Sequence, residues 1–320
     1  MDKAIERDGA PVIGVRDLVR HFKRKIALDG VSLDVPPGVV FGLVGENGAG
    51  KTTLIRHLLG LMQPTAGTVR VFGRDPVADP VGVLSRLGYL SEDRDLPHWM
   101  RVDELMGYSR AFYPAWDDAY AERLRKLFKL DPASRIRTLS RGEKAKAGLL
   151  TALAYRPELL LLDEPSSGLD PAVRQDILEA ILRDVVSEGR TVLFSSHLLD
   201  EIERVADIVA MIHHGRVVLC GSLEEIKRAH TRLSVQFVES RRELPEMAGV
   251  IEANGLGRDW TLVCLGDGEA VRPQIAALGG EVTGMRAPSL EEIFIARVHG
   301  RRVSGETAGS SRAGEGVSWE

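Results

Sequence analysis

A chain of 320 residues is long enough for one large or two modest domains, each with a buried core. Its 42 basic and 46 acidic residues are interspersed, leave a formal charge of −4, and form only short basic clusters such as Lys23-Arg24-Lys25, so no nucleic-acid surface is expected. Apolar runs such as residues 159–162 fall far below the roughly 18 residues of a membrane helix, so no bilayer span is expected either.

Residues 1–10 carry acidic charge and no apolar segment, and read as a flexible start without a secretory signal. Residues 12–15 and 26–35 alternate as antiparallel strands do. Between them, Phe22 among charged neighbours either packs on the sheet or stacks on a ligand. Pro36-Pro37-Gly38 turns the chain into an apolar run at 39–44 that predicts a buried strand, and residues 54–61 predict a helix.

Joining that strand to that helix are Gly45-Glu46-Asn47-Gly48-Ala49-Gly50-Lys51-Thr52-Thr53, spaced as G-x-x-x-x-G-K-[ST]. Glycines there let successive N–H groups converge, and the following helix adds its positive dipole end. A polyphosphate suits that concavity. Lys51 would meet the β- and γ-phosphates, the Thr52 hydroxyl would coordinate Mg²⁺, and Thr53 would donate to a further phosphate oxygen.

Strands are predicted at 68–72 and 87–92, the second ending in Glu92 and running into a polar, Pro-containing segment over 93–97. From 102 to 130 the period is helical, broken at Pro114. Ser140, with Glu143 three residues on, predicts an N-cap and capping box for a helix over 144–153. Residues 159–162 are four leucines in a buried strand, which delivers Asp163 and Glu164 at its carboxyl end, where open α/β sheets bind ligands. A loop containing Asp170 leads to a helix over 172–188 with an apolar stripe at Ile177, Ile181, Val185 and Val186. The strand at 191–194 ends in Ser195-Ser196-His197, which puts His197 at a strand end like the two acids and suggests a shared site. A helix at 198–205 and a hairpin of strands, 208–213 and 216–220, follow. Cys220 and Cys264 lie in separate apolar stretches and read as two buried thiols of a reducing cytoplasm.

Residues 230–300 read as a small α+β appendix, with strands at 233–238, 261–265 and 281–285 and helices at 268–278 and 288–298. Residues 301–320 are small and polar, the composition of a disordered tail.

Taken in this order, the phosphate loop, Leu139-Ser140-Arg141-Gly142-Glu143, the leucine strand ending in Asp163-Glu164, Ser167-Gly168-Leu169-Asp170 and His197 resemble the ATPase subunits of ATP-binding cassette (ABC) transporters. The resemblance covers about residues 12–222 and implies a P-loop NTPase core in an α/β domain over 11–225, with an antiparallel β subdomain and a helical insert over about 98–155. It implies ATP and Mg²⁺, with Phe22 stacking on adenine, Asp163, Thr52 and Glu92 near the metal, Glu164 as general base and His197 at the γ-phosphate. Ser140 and Gly142 would bind the γ-phosphate held by a second ATPase subunit, a homodimer rather than a heterodimer, and Asp170 would couple the two sites.

The family's usual Leu-Ser-Gly-Gly-Gln has Arg141 and Glu143 here, and its usual glutamine is Glu92. Ser140 and Gly142 still supply a hydroxyl and an N–H; Glu92 can accept but not donate. The segment Ala287-Pro288-Ser289-Leu290-Glu291-Glu292-Ile293-Phe294 resembles bacterial exporters of the multidrug, antibiotic or polysaccharide type, whose membrane subunit is a separate chain. That implies a peripheral place on the cytoplasmic face of the cell membrane. The rival from another class is a soluble ABC ATPase acting on ribosomes or nucleic acid; such proteins usually carry two cassettes in one chain or a long coiled coil within the cassette, whereas this sequence reads as one cassette with no such insert.

Overall fold

The computed structural model describes residues 10–299 apart from Arg24, Arg94 and 185–187; the flexible start (but for residue 10) and the tail expected at 301–320 lie outside them. The chain gathers into two compact units that divide between Glu225 and Ile226.

Alternating apolar residues build β1 (Ile13–Phe22), β2 (Lys25–Val35) and β4 (Ala66–Val71) into an antiparallel sheet ordered β2-β1-β4. Pairing carries β1 further than its apolar pattern alone suggests, so Phe22 ends a strand and pairs with Lys25 across the turn. Continuous apolar runs build the second sheet, as expected for strands covered on both faces. Its members are β3 (Val40–Val44), β5 (Leu87–Leu90), β6 (Leu159–Asp163), β7 (Thr191–Ser196), β8 (Ile208–His213) and β9 (Arg216–Ser222), in the order β5-β6-β7-β3-β8-β9. All pair in parallel except β9, which returns antiparallel to β8.

The helix after β3 is α1 (Lys51–Leu58), which starts three residues earlier than its apolar period indicates. Leu54, Ile55 and Leu58 of α1 join Ile13, Leu18 and Leu28 of one sheet and Phe41, Leu159 and Leu161 of the other in one core. Between β4 and β5, the short α2 (Pro80–Leu84) is capped by Asp79, whose carboxylate accepts the Gly82 N–H. Its five residues span little more than one turn, too few to show a helical period. The helical stretch after β5 is two helices, α3 (Val102–Arg110) and α4 (Asp118–Leu127), with Asp117 accepting from the Tyr120 N–H to restart the chain beyond Pro114. They pack on α5 (Arg141–Leu153), whose first turn carries the expected capping box.

Of the stripe expected on α6 (Pro171–Asp184), Ile177 is buried, while Val185 and Val186 lie outside the described residues, as does the side chain of Ile181. Then come α7 (Leu199–Val205) and, after β9, α8 (Leu223–Arg228). Cys220 is exposed rather than buried: β9 alternates, and Cys220 shares the outward face with Arg216 and Val218.

In the second unit, β10 (His230–Arg241), β11 (Val250–Leu265) and β12 (Gly280–Arg286) form an antiparallel sheet ordered β11-β10-β12. Helices α9 (Arg272–Ala277) and α10 (Leu290–His299) complete it, the first preceded by a 3-10 turn at Glu269–Val271. Phe237, Trp260, Leu262, Cys264 and Ile275 fill its core.

Leu161 has no exposed surface at the centre of the first core, so Leu161→Ala should cost about 2–5 kcal/mol of unfolding free energy. Urea denaturation followed by far-UV circular dichroism measures it, and a loss below about 1 kcal/mol would contradict this packing.

Candidate active site

Parallel register brings three strand ends level. Val44 of β3 lies beside Ser196 of β7, and Asp163 of β6 lies beside Ser195. What leaves each strand therefore meets at one edge of the sheet: the loop 45–50 after β3, Glu164 after β6 and His197 after β7.

The loop's curl needs its glycines. A Cβ on Gly45 would overlap the Ile212 carbonyl, and Gly48 and Gly50 hold φ of 82° and 118°, left-handed values that side chains disfavour. Gly50 is the N-cap of α1 and offers no side-chain cap, an arrangement that suits an anion at the N–H groups of the first turn. Arg56 and His57 sit at the other end of α1, where cations complement the dipole.

Lys51 reaches back inside the loop. Its ammonium donates to the carbonyls of Gly45 at 2.6 Å and Glu46 at 3.3 Å and pairs with Glu164 Oε1 at 3.0 Å. Both side chains are only 5% exposed. Glu164 Oε2 in turn lies 2.6 Å from His197 Nδ1 and accepts the His197 N–H at 3.3 Å. Ser195 braces both acids: its hydroxyl donates to Asp163 Oδ1 at 2.7 Å and accepts the Glu164 N–H at 3.2 Å. The pKa of buried Asp163 is raised, first by burial and then by the charge of Glu164; the Ser195 and Thr52 hydroxyls and Lys51 oppose this.

A cleft of about 350 Å³ opens over the loop, lined by Phe22, Lys25, Asn47, Gly50, Thr53 and Glu92 among others. Lys51, Thr52, Gly48 and Glu164 also face it, so the aromatic, the phosphate loop and the acid converge on one volume. Lys25 and Ala27 line it too; the sequence offers Lys25 only as part of a short basic cluster and Ala27 only as a strand residue, and the pairing that folds β2 back beside β1 reveals them. Glu46 and Ala49 shape the loop from within, through the bond from the Ala49 N–H to the Glu46 carbonyl.

Among the described residues, Ser140, Gly142 and Asp170 are not brought to this cleft. The Ser140 hydroxyl accepts the Glu143 N–H, and the Glu143 carboxylate accepts the Ser140 N–H. Gly142 lies against Val173 of α6, and Asp170 accepts the Val173 N–H. Arg141, the departure from the family pattern, lays its guanidinium over Gly168, where φ is 64° and a Cβ would overlap it.

Among the described residues no group of three or more His, Cys, Asp or Glu side chains is arranged to hold a metal. With Glu164 taken up by Lys51 and His197, the carboxylates left for a cation are Asp163, bonded to the Thr52 hydroxyl, and Glu92 on the cleft wall. So sparse a set suits Mg²⁺, which is bound by one or two protein oxygens and completes its octahedron with phosphates and water.

A profile of the ABC transporter family matches residues 28–167. Daunorubicin/doxorubicin resistance ATP-binding protein DrrA of Streptomyces peucetius is 37% identical over 257 residues, 75% of this chain and 73% of that protein. Nod factor export ATP-binding protein I of Rhizobium sp. (strain N33) is 32% identical over 91% of this chain and 98% of its own length. A solved ATP-binding subunit of an ABC transporter superposes with a TM-score of 0.63 at 30% identity, covering 68% of this chain and 92% of that one.

Raised pKa means that folded Asp163 keeps its proton above the ordinary value of 3.8, so stability falls as pH rises through that window. Asp163→Asn removes the charge while keeping an acceptor for Ser195. Its melting temperature should therefore exceed wild type at pH 7, and the gap should close as the pH is lowered to about 4. Scanning calorimetry across this range checks it; a variant that melts lower at pH 7 would show that the charge does not destabilise the fold.

Proposed function

Since the chain belongs to the ABC transporter family, as one of its ATP-binding subunits, we propose that it hydrolyses ATP to drive an exporter whose membrane-spanning part is a separate chain. ATPase activity and work with a transmembrane permease come with the family. Export is supported by relatives named for drug resistance and for Nod factor export. Among the described residues no helix is long and apolar enough to cross a membrane, so a path through the bilayer would come from a partner.

The observation that carries the reading is the relay from Lys51 and Glu164, buried where they line the phosphate-loop cleft, to half-buried His197. In this account Phe22 stacks on adenine, the N–H groups of 45–53 and Lys51 hold the phosphates, and Thr53 donates to them. Thr52 and Asp163, with Glu92 beside them, would hold Mg²⁺, which when bound would neutralise charge on the phosphates. Glu164 accepts the proton of the attacking water, with His197 fixing its carboxylate and touching the γ-phosphate. Transfer here is chiefly positioning and electrostatic stabilisation, which is why the groups are buried on rigid strand ends.

Ser140 and Gly142 point away from this cleft into contacts with their own helix and α6, so in this reading they serve the γ-phosphate of a second copy, with Asp170 coupling the two sites. Two copies sandwich two nucleotides; binding closes the pair, and hydrolysis with release opens it. On the helical insert Trp99 is 69% exposed, and Tyr108 and Phe112 stack edge to face at 5.0 Å, also exposed. These exposed apolar side chains, with half-buried Met100 next to Trp99 in sequence, suit a helix of the membrane subunit on the cytoplasmic face.

Glu164→Gln should lower turnover by about 10²–10⁴ while leaving Mg-ATP binding intact, as phosphate release and equilibrium binding would show. Turnover within tenfold of wild type would remove the base assignment. Detergent extracts should yield an integral membrane protein bound to the full chain; recovery of ribosomes or nucleic acid instead would overturn the transport reading.

A further inference from the structure

The acid Glu201, on α7, is used by none of the steps above, yet it is 1% exposed. Burying a carboxylate costs several kcal/mol unless the group is paired and hydrogen-bonded. Here it is both. Glu201 Oε2 accepts the Ser166 hydroxyl at 2.5 Å, and Oε1 lies 3.0 Å from Arg174 Nε on α6. Ser166 is equally buried.

Ser166 stands two residues after Glu164, and Glu201 four residues after His197. The contacts therefore close a ring: Glu164 through Pro165 to Ser166, across to Glu201, back along α7 to His197, and from His197 Nδ1 to Glu164 at 2.6 Å. Glu164 itself sits at φ 47°, a left-handed conformation that a non-glycine residue holds only when its surroundings over-determine it. Two contacts do so on the loop side: the turn bond from the Ser167 N–H to the Glu164 carbonyl at 3.0 Å, and the Ser166–Glu201 bond. A link serving packing alone would be replaced at little cost by apolar groups of similar volume.

We propose that Glu201 is a positioning residue for ATP hydrolysis, fastening the start of the 164–170 loop to the helix that follows His197 so that Glu164 and His197 stay in register with the phosphate loop. The proposal rests on the reading of Glu164 as base. It predicts that breaking the ring leaves nucleotide binding alone, because Lys51 and the loop 45–53 are not part of it, and slows the chemical step.

The test uses the full chain, with its membrane subunit wherever turnover requires one. Ser166→Ala and Glu201→Ala should each lower kcat about tenfold or more, with Kd for Mg-ATP within about twofold of wild type. Glu201→Gln, whose amide oxygen still accepts the Ser166 hydroxyl, should recover to within about threefold of wild type, and the Ser166→Ala/Glu201→Ala double variant should be no slower than Glu201→Ala. Ser166→Ala removes only a hydroxyl and keeps the test decisive if Glu201→Ala does not fold. A kcat for Ser166→Ala within twofold of wild type, parallel losses in kcat and affinity, or additive effects in the double variant would overturn the proposal. Glu164→Gln separates the two levels. Should it stay active, the base reading itself fails; should it be inactive while Ser166→Ala is fully active, only the role of Glu201 fails.

Discussion

The structure turns on one buried ion pair, Lys51 with Glu164 at 3.0 Å. Neither charge could be withdrawn from water alone, since an unpaired buried charge destabilises a fold by several kcal/mol. They are held together because β6, β7 and β3 are neighbours in a parallel sheet and end level with one another. The carbonyls of Gly45 and Glu46 take Lys51's remaining donors, and His197 takes the second oxygen of Glu164. In the proposed mechanism a phosphate that claims Lys51 competes with Glu164 for it, and the released carboxylate is free to act on water, so that binding and chemistry are joined through one ammonium group.

This arrangement is held against local cost. Asp163 is pushed up by burial, as is Glu201, and Glu164 occupies a left-handed backbone conformation. Leu159, Leu160, Leu161 and Leu162, all fully buried just before these acids, supply the packing that offsets it. A strand of four buried leucines thus runs into two buried acids, at the end where the sheet opens to the loops.

Much of this was legible in the residues because it is local. Glycine spacing and the lysine and threonines at its end define the phosphate loop, and four leucines before two acids define a strand end. Position alone, at the end of a neighbouring apolar strand, suggested that His197 belongs with Glu164, and the two lie 2.6 Å apart. What stayed hidden depends on pairing across the chain. Lys25 and Ala27 line the cleft only because β2 folds back on β1, and Ser195 braces both acids only through strand register. Glu201 looks like any acid in the first turn of a helix until Ser166 is brought beside it. Apolar periodicity also misjudged extent: the strand expected at 261–265 begins at Val250 as β11, and β10 pairs with it as far back as Asp259 and, past a register shift, Gly257. Cys220 was misread because an apolar stretch on an edge strand buries only alternate residues.

The central claim, that the loop 45–53 and Lys51 hold a triphosphate, is tested most directly by calorimetric titration of Mg-ATP into the full chain and into Lys51→Ala, each confirmed folded by circular dichroism. The account predicts saturable binding to the wild-type chain that weakens by about a hundredfold or more in the variant, as expected when a charge-assisted contact to phosphate is lost. Equal affinity in the two proteins would contradict it.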